Sequence, residues 1–183
     1  MEKALIVIDY TNDFVAPDGA LTCGEPGQQL ASYIEHLTTD FISAQAYVVF
    51  ACDLHEQDDP YHPETALFPP HNIRNTEGRQ LYGALQSIYE SNKSLQHVKW
   101  MDKTRYSAFA GTDLALRLRE RNIQQLHLVG VCTDICVLHT AVDAYNLGFD
   151  IVVHAQGVAS FNEIGHNWAL SHFAQTLGAT VLP

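Results

Sequence analysis

The sequence predicts an α/β fold: a mostly parallel sheet with helices on both faces. Three observations carry the prediction. Short apolar runs recur at residues 4–8, 46–51 and 126–131. Unbroken runs of this kind, rich in β-branched residues, suit strands buried on both faces. Stretches with apolar residues at helical spacing lie between them. Strand-like and helix-like segments alternate, as parallel strands joined by crossover helices must.

The elements follow in order. Residues 4–8 (ALIVI) read as a central strand, ended by Asp9. Residues 12–24 carry Asp18-Gly19 and read as a loop. Residues 26–42 place Leu30, Ile34, Leu37 and Phe41 on one helical face, with Pro26 suited to a first turn. A second buried strand spans 46–51, and Asp53 follows it. Residues 55–75 are polar and contain Pro60, Pro63, Pro69 and Pro70. That is too long for a plain connection, and such loops are functional or disordered. Residues 81–91 form a short helix and 98–100 a weak strand, with Lys103 just beyond. A helix is expected at 112–121, a strand at 126–131 and a helix at 136–147, closed by Gly148 in a common left-handed cap position. Residues 151–153 form a strand, 162–177 a helix, and 180–182 a last short strand. No internal repeat or linker divides residues 1–183, which read as one domain with a special loop region at about 53–75.

Composition narrows the function classes. The 183 residues carry a formal net charge of −11, which disfavours a nucleic-acid partner. No apolar run approaches membrane-spanning length, and residues 1–9 lack a signal-peptide pattern, so no membrane partner is expected. Cys23, Cys52, Cys132 and Cys136 fit neither a disulfide framework nor paired zinc knuckles. They are read as reduced thiols in a cytoplasmic protein.

Asp9, Asp53, Lys103 and Cys136 all fall just after strands or at a helix start. In a parallel sheet these ends converge on one edge, where ligands bind. Taken alone, Cys136 reads two ways: a small buried hydrophobe, or a thiolate stabilised by the free N–H groups and dipole of a helix N-terminus. With a lysine to favour the thiolate and a carboxylate to carry protons, the second reading gains a chemical use.

Three stretches carry a resemblance. Ile8-Asp9, Lys103-Thr104-Arg105-Tyr106-Ser107-Ala108-Phe109 and Gly130-Val131-Cys132-Thr133-Asp134-Ile135-Cys136 resemble, in the right order, the isochorismatase-like cysteine hydrolases. The resemblance implies a three-layer α/β/α sandwich and a catalytic triad of Asp9, Lys103 and Cys136. It also implies a cis peptide at Val131–Cys132 and an oxyanion hole made by the N–H groups of Cys132 and Cys136. A disulfide or two-cysteine metal site at Cys132 and Cys136 is the rival there.

Asp53-Leu54-His55 and His71, with Glu64 between them, offer a carboxylate-and-imidazole set for Zn²⁺, Fe²⁺ or Mn²⁺. Histidines in a solvated polar loop are the bland alternative. His62 lies in the same loop and is set aside as a decoy. The Asp-x-His…His pattern looks like that of the nicotinamidases within the family, with Glu64 matching a fourth ligand of some members. The resemblance then implies one divalent metal, zinc first. The substrate it implies is nicotinamide, or pyrazinamide, hydrolysed through a cysteine thioester for NAD salvage, in an enzyme with room to form a homo-oligomer. Phe14, Leu21, Phe68 and Tyr106 would pack the ring. Two alternatives remain open: another amidase of the family acting on a carbamoyl or ureido compound, and a metal-binding protein without turnover.

Overall fold

The computed structural model describes residues 2–183. Six strands form one sheet: β1 (Glu2–Ile8), β2 (Tyr47–Asp53), β3 (Val98–Lys103), β4 (Ile123–Val131), β5 (Asp150–Ala159) and β6 (Thr180–Leu182). Their order is β3-β2-β1-β4-β5-β6, and every pair is parallel. The helices are α1 (Asn12–Val15), α2 (Glu25–Gln28), α3 (Ala31–Ser43), α4 (Leu85–Asn92), α5 (Leu114–Glu120), α6 (Leu138–Asn146) and α7 (Glu163–Gln175).

Side-chain alternation along β1 makes two cores. Ala4, Ile6 and Ile8 face Leu114 and Leu118 of α5, Ala141 and Ala144 of α6, and Phe173 of α7. Leu5 and Val7 face Phe14 of α1, Ile34 and Phe41 of α3, and Leu85 of α4. The result is a three-layer α/β/α sandwich. From β1 the chain runs outward through β2 and β3, then returns to pair β4 against β1 and runs outward the other way. The ends of β1 to β4 therefore meet at the point where strand order reverses, the place where open α/β sheets bind ligands.

Gly130 holds that junction close. It pairs with Ile8 at φ +120°, and a Cβ there would lie 1.9 Å from the Ile8 carbonyl oxygen. Only glycine lets the strand that leads to Asp9 and the strand that leads to Cys132 approach so closely.

Several boundaries differ from expectation. The stretch read as one helix from 26 divides into α2 and α3. The loop read at 12–24 opens with α1. Asp53 and Lys103 are the last residues of β2 and β3, paired to each other, not residues beyond them. β5 runs six residues past 153, to Ala159. Its pairing to β4 shifts register between Leu128 and Gly130, and the polar His154 and Gln156 break its apolar run. Cys136 does not open a helix: it lies in a π-helical turn, Thr133–Val137, and α6 begins after it.

A chain of side chains lies under β4 and β5, away from the strand ends. His127 Nδ1 is 2.8 Å from His154 Nε2, and His154 Nδ1 is 2.8 Å from the Tyr33 hydroxyl. Burial, then His154, holds His127 down at about 4, and burial lowers His154 also. As pH falls below the ordinary histidine value of about 6.5, the unfolded chain takes up protons that the folded chain refuses. Stability from this pair is thus complete above about pH 6.5 and declines as pH falls towards 4. Urea midpoints between about pH 7 and 5 should fall less steeply in His127→Gln than in the parent. Equal slopes would remove the pair from the acid response.

Candidate active site

Four of the marked residues meet at the reversal point. The Lys103 ammonium is buried and sits 2.7 Å from Asp9 Oδ2 and 2.6 Å from Asp53 Oδ1. It donates to the Arg105 carbonyl at 3.1 Å and to Cys136 Sγ at 3.7 Å. The Asp53 N–H donates to Asp9 Oδ1 at 2.8 Å, which ties the ends of β1 and β2. Asp9 itself is in the left-handed region at φ 54°, turning its carboxylate back across the sheet end.

Burial decides the protonation states. Asp9 is raised to about 7, first by burial and then by the Asp53 charge, against the pull of Lys103. Burial pushes the Cys136 thiol well up, and Lys103 pulls it down by less. This corrects the expectation that lysine and a helix dipole hold a resting thiolate. Cys136 precedes α6, and desolvation outweighs the cation. The Cys136 sulfur and a carboxylate oxygen of Asp9 lie within 4.8 Å of one another, so the thiol and this carboxyl are neighbours. The Lys103 ammonium is held above its usual value by Asp53 and Asp9, against burial.

Beside this cluster, Asp53, His55, Glu64 and His71 bring one ligand atom each to within 4.8 Å of one another, all buried. Asp53 Oδ2, His55 Nε2 and His71 Nε2 have no hydrogen-bond partner. Buried polar atoms are rarely left unpaired, and three aimed at one point suit a divalent cation. His71 Nδ1 is 2.8 Å from the Pro69 carbonyl. A proton on that nitrogen leaves the Nε2 lone pair free for a metal. The donor set fits zinc, iron or manganese. His62 is excluded on a physical ground. Its Nε2 is 2.8 Å from the Thr104 carbonyl and its Nδ1 accepts from the Glu64 N–H, so neither nitrogen is free.

Phe14, Leu21, Phe68 and Tyr106 line one small cavity with Asp53, Glu64, Cys132 and Cys136. Val131 and Ile135 complete the wall. Sequence reasoning named both within the motif but gave neither a packing role; as apolar neighbours of Cys132 and Cys136 they were open to it. The Phe14 ring stands 5.2 Å from that of His71. Arg79 was missed as well: its Nε donates to the Asp53 carbonyl at 2.8 Å and its guanidinium pairs with Asp102. The Val131–Cys132 peptide is cis. Cys132 and Cys136 are both free thiols. A roomier cleft of about 870 Å³ lies between α3 and α7, lined by Tyr33, His36, Gln156, Ser160, Glu163 and His166, and among the described residues no group of metal-ligating side chains forms there. Among the described residues no helix is long and apolar enough to cross a membrane.

The isochorismatase domain family matches residues 3–182. The Bacillus subtilis protein PncA, described as an uncharacterized isochorismatase family protein, is 66% identical over 181 residues, covering 99% of each chain. A crystal structure of nicotinamidase/pyrazinamidase PncA from Bacillus subtilis superposes with a TM-score of 0.99 at 64% identity, covering 100% of both chains. A pyrazinamidase of Pyrococcus horikoshii in complex with zinc superposes with a TM-score of 0.86 at 27% identity, covering 100% of this chain and 99% of that one.

Proposed function

The chain belongs to the isochorismatase domain family, and from that membership and the similarity to nicotinamidases we propose how it works as a nicotinamidase. It is an amidohydrolase that converts nicotinamide and water to nicotinate and ammonia. The observation that carries the mechanism is the Lys103 ammonium, 2.7 Å from Asp9, 2.6 Å from Asp53 and 3.7 Å from Cys136, beside an unpaired donor set.

Residues 1–183 act as one domain, with the region about 53–75 supplying the metal loop. Asp9 takes the Cys136 proton as Sγ bonds to the carboxamide carbon. The N–H groups of Cys132 and Cys136 receive the developing oxyanion. Asp9 then gives its proton to the departing nitrogen, so ammonia leaves and a thioester remains. Asp9, again ionised, takes a proton from water, whose oxygen attacks the thioester carbon. Collapse releases nicotinate and returns the thiol. Lys103 keeps Asp9 able to ionise despite its burial, and it stabilises the sulfur as negative charge passes through it. Phe14, Leu21, Phe68 and Tyr106 pack the ring. A divalent ion held by Asp53, His55, Glu64 and His71, zinc foremost, would supply a Lewis acid for the pyridine nitrogen. We place the enzyme in the cytoplasm, in line with its unpaired thiols, and its product in NAD salvage.

The test compares kcat/KM for nicotinamide, pyrazinamide and benzamide, with metal content measured on the same samples. Pyrazinamide keeps a ring nitrogen in the equivalent place and should be hydrolysed. Benzamide lacks it and should fall by about 10³-fold or more, since a site built for a polar contact rejects an analogue without it. His71→Ala should lose metal and discrimination together. Comparable rates on benzamide and nicotinamide would overturn the reading and leave a family amidase for carbamoyl or ureido compounds.

A further inference from the structure

One carboxylate that the mechanism does not use is bonded to the residue that follows His71 and that accepts from His55. Asp13, on α1, accepts from the Asn72 N–H at 2.7 Å through Oδ2 and from the Ala20 N–H at 3.3 Å through Oδ1. Asn72 follows His71 directly, is fully buried and sits in the left-handed region at φ 45°. Its carbonyl accepts from the His55 N–H at 3.1 Å. One residue is thus bonded to Asp13 through its N–H and to His55 through its carbonyl, with His71 as its chain neighbour. The fit behind the carboxylate is tight: a Cβ on Gly78 would lie 2.2 Å from Asp13 Oδ2.

We propose that Asp13 is a positioning residue that presets His55 and His71 through Asn72, so that metal affinity depends on it while Cys136 reactivity does not. The proposal rests on the reading of Asp53, His55, Glu64 and His71 as metal ligands. A bond between an ionised acceptor and a backbone N–H is among the stronger hydrogen bonds. Residues outside a metal's ligand set that fix ligand orientation change affinity by about 10–100-fold when lost. Phe14 is the chain neighbour of Asp13, so loss of the carboxylate's bonds should raise KM for nicotinamide more than it lowers kcat.

The experiment titrates Co²⁺ into metal-stripped protein and follows the visible absorption of the bound ion. Asp13→Ala should bind about 10–100-fold more weakly. Asp13→Asn retains a carbonyl acceptor and should recover most of the loss. Gly78→Ala keeps every charge but displaces the carboxylate, and it should weaken binding too; it carries the test by itself if Asp13→Ala does not fold. In the Asp13→Ala/Gly78→Ala double variant the second substitution should add nothing, because the group it would strike is gone. Iodoacetamide should label Cys136 at the parent rate throughout. A merely structural role would lower cobalt affinity and slow the labelling together. Cobalt affinity unchanged in Asp13→Ala, or additive losses, overturns the proposal while the metal reading stands. A parent that takes up no cobalt overturns both.

Discussion

Cys136→Ala should abolish nicotinamide turnover, lowering kcat by about 10⁴-fold or more, with fold and metal content retained. Removing the nucleophile of a covalent enzyme leaves only what binding and the oxyanion donors provide, and losses of that size or larger follow. The substitution is mild for the fold. Cys136 is 5% exposed and packs among Val137, Ala141 and Ile8. Deleting one sulfur there leaves a void worth about 1 kcal/mol, well within a domain's margin. It also removes a group whose ionisation the interior already opposes. The measurement is ammonia release under single-turnover conditions, with mass spectrometry for the acylated parent. Ammonia release within about tenfold of the parent rate would show that no thioester lies on the path.

Lys103→Met should damage both activity and stability, by different routes that can be separated. Lys103, Asp9 and Asp53 are fully enclosed, and the ammonium is the cation between the two carboxylates. Removing one member of a buried ionic group costs about 3–5 kcal/mol, because the remaining charges lose their partner in a medium that solvates them poorly. Asp9 is raised to about 7 with the lysine present. Without it, the carboxyl should hold its proton at neutral pH and cannot accept the thiol's, so kcat should fall by about 10²-fold or more. The double variant Lys103→Met/Asp9→Asn removes the carboxylate that the first substitution stranded. Its unfolding free energy should lie above that of Lys103→Met, while its turnover stays lost. Urea unfolding of the four proteins in the cycle checks this. Losses in stability that simply add would mean that Lys103 and Asp9 do not stabilise each other.

Much of this arrangement was legible in the sequence. The apolar runs at 4–8, 46–51 and 126–131 are strands, and residues at their ends do converge. Strand order was not legible, because alternation specifies parallel pairing but not which strand sits in the centre. The length of β5 was hidden by its polar residues His154 and Gln156. Residues 133–137 read as the start of a helix because the π-helical turn leads directly into α6. The state of Cys136 was misjudged for a physical reason: spacing locates a lysine near a thiol, but only packing shows that the thiol is dry. Asp9, Asp53, His55 and His71 stand at positions that pattern marks. Asp13 and Arg79 do not, since each acts on a backbone group far along the chain: Asn72, 59 residues on, and Asp53, 26 residues back. No local motif records such a bond.

The reversal of strand order at β1 and β4 has a consequence for how activity is acquired. Asp9, Asp53 and Lys103 come from the three strands on one side of that junction, and Cys136 follows the strand on the other. Neither the first hundred residues nor the rest contain a working set. The pairing that unites them joins Ile8 to Gly130 across most of the chain. Contacts so distant in sequence cost the most chain entropy to close and are intrinsically slow. On the proposed mechanism, catalytic competence is therefore a late property of the folding chain, and a ribosome-bound nascent chain ending before β4 holds the proposed acid, cation and metal loop but not the proposed nucleophile.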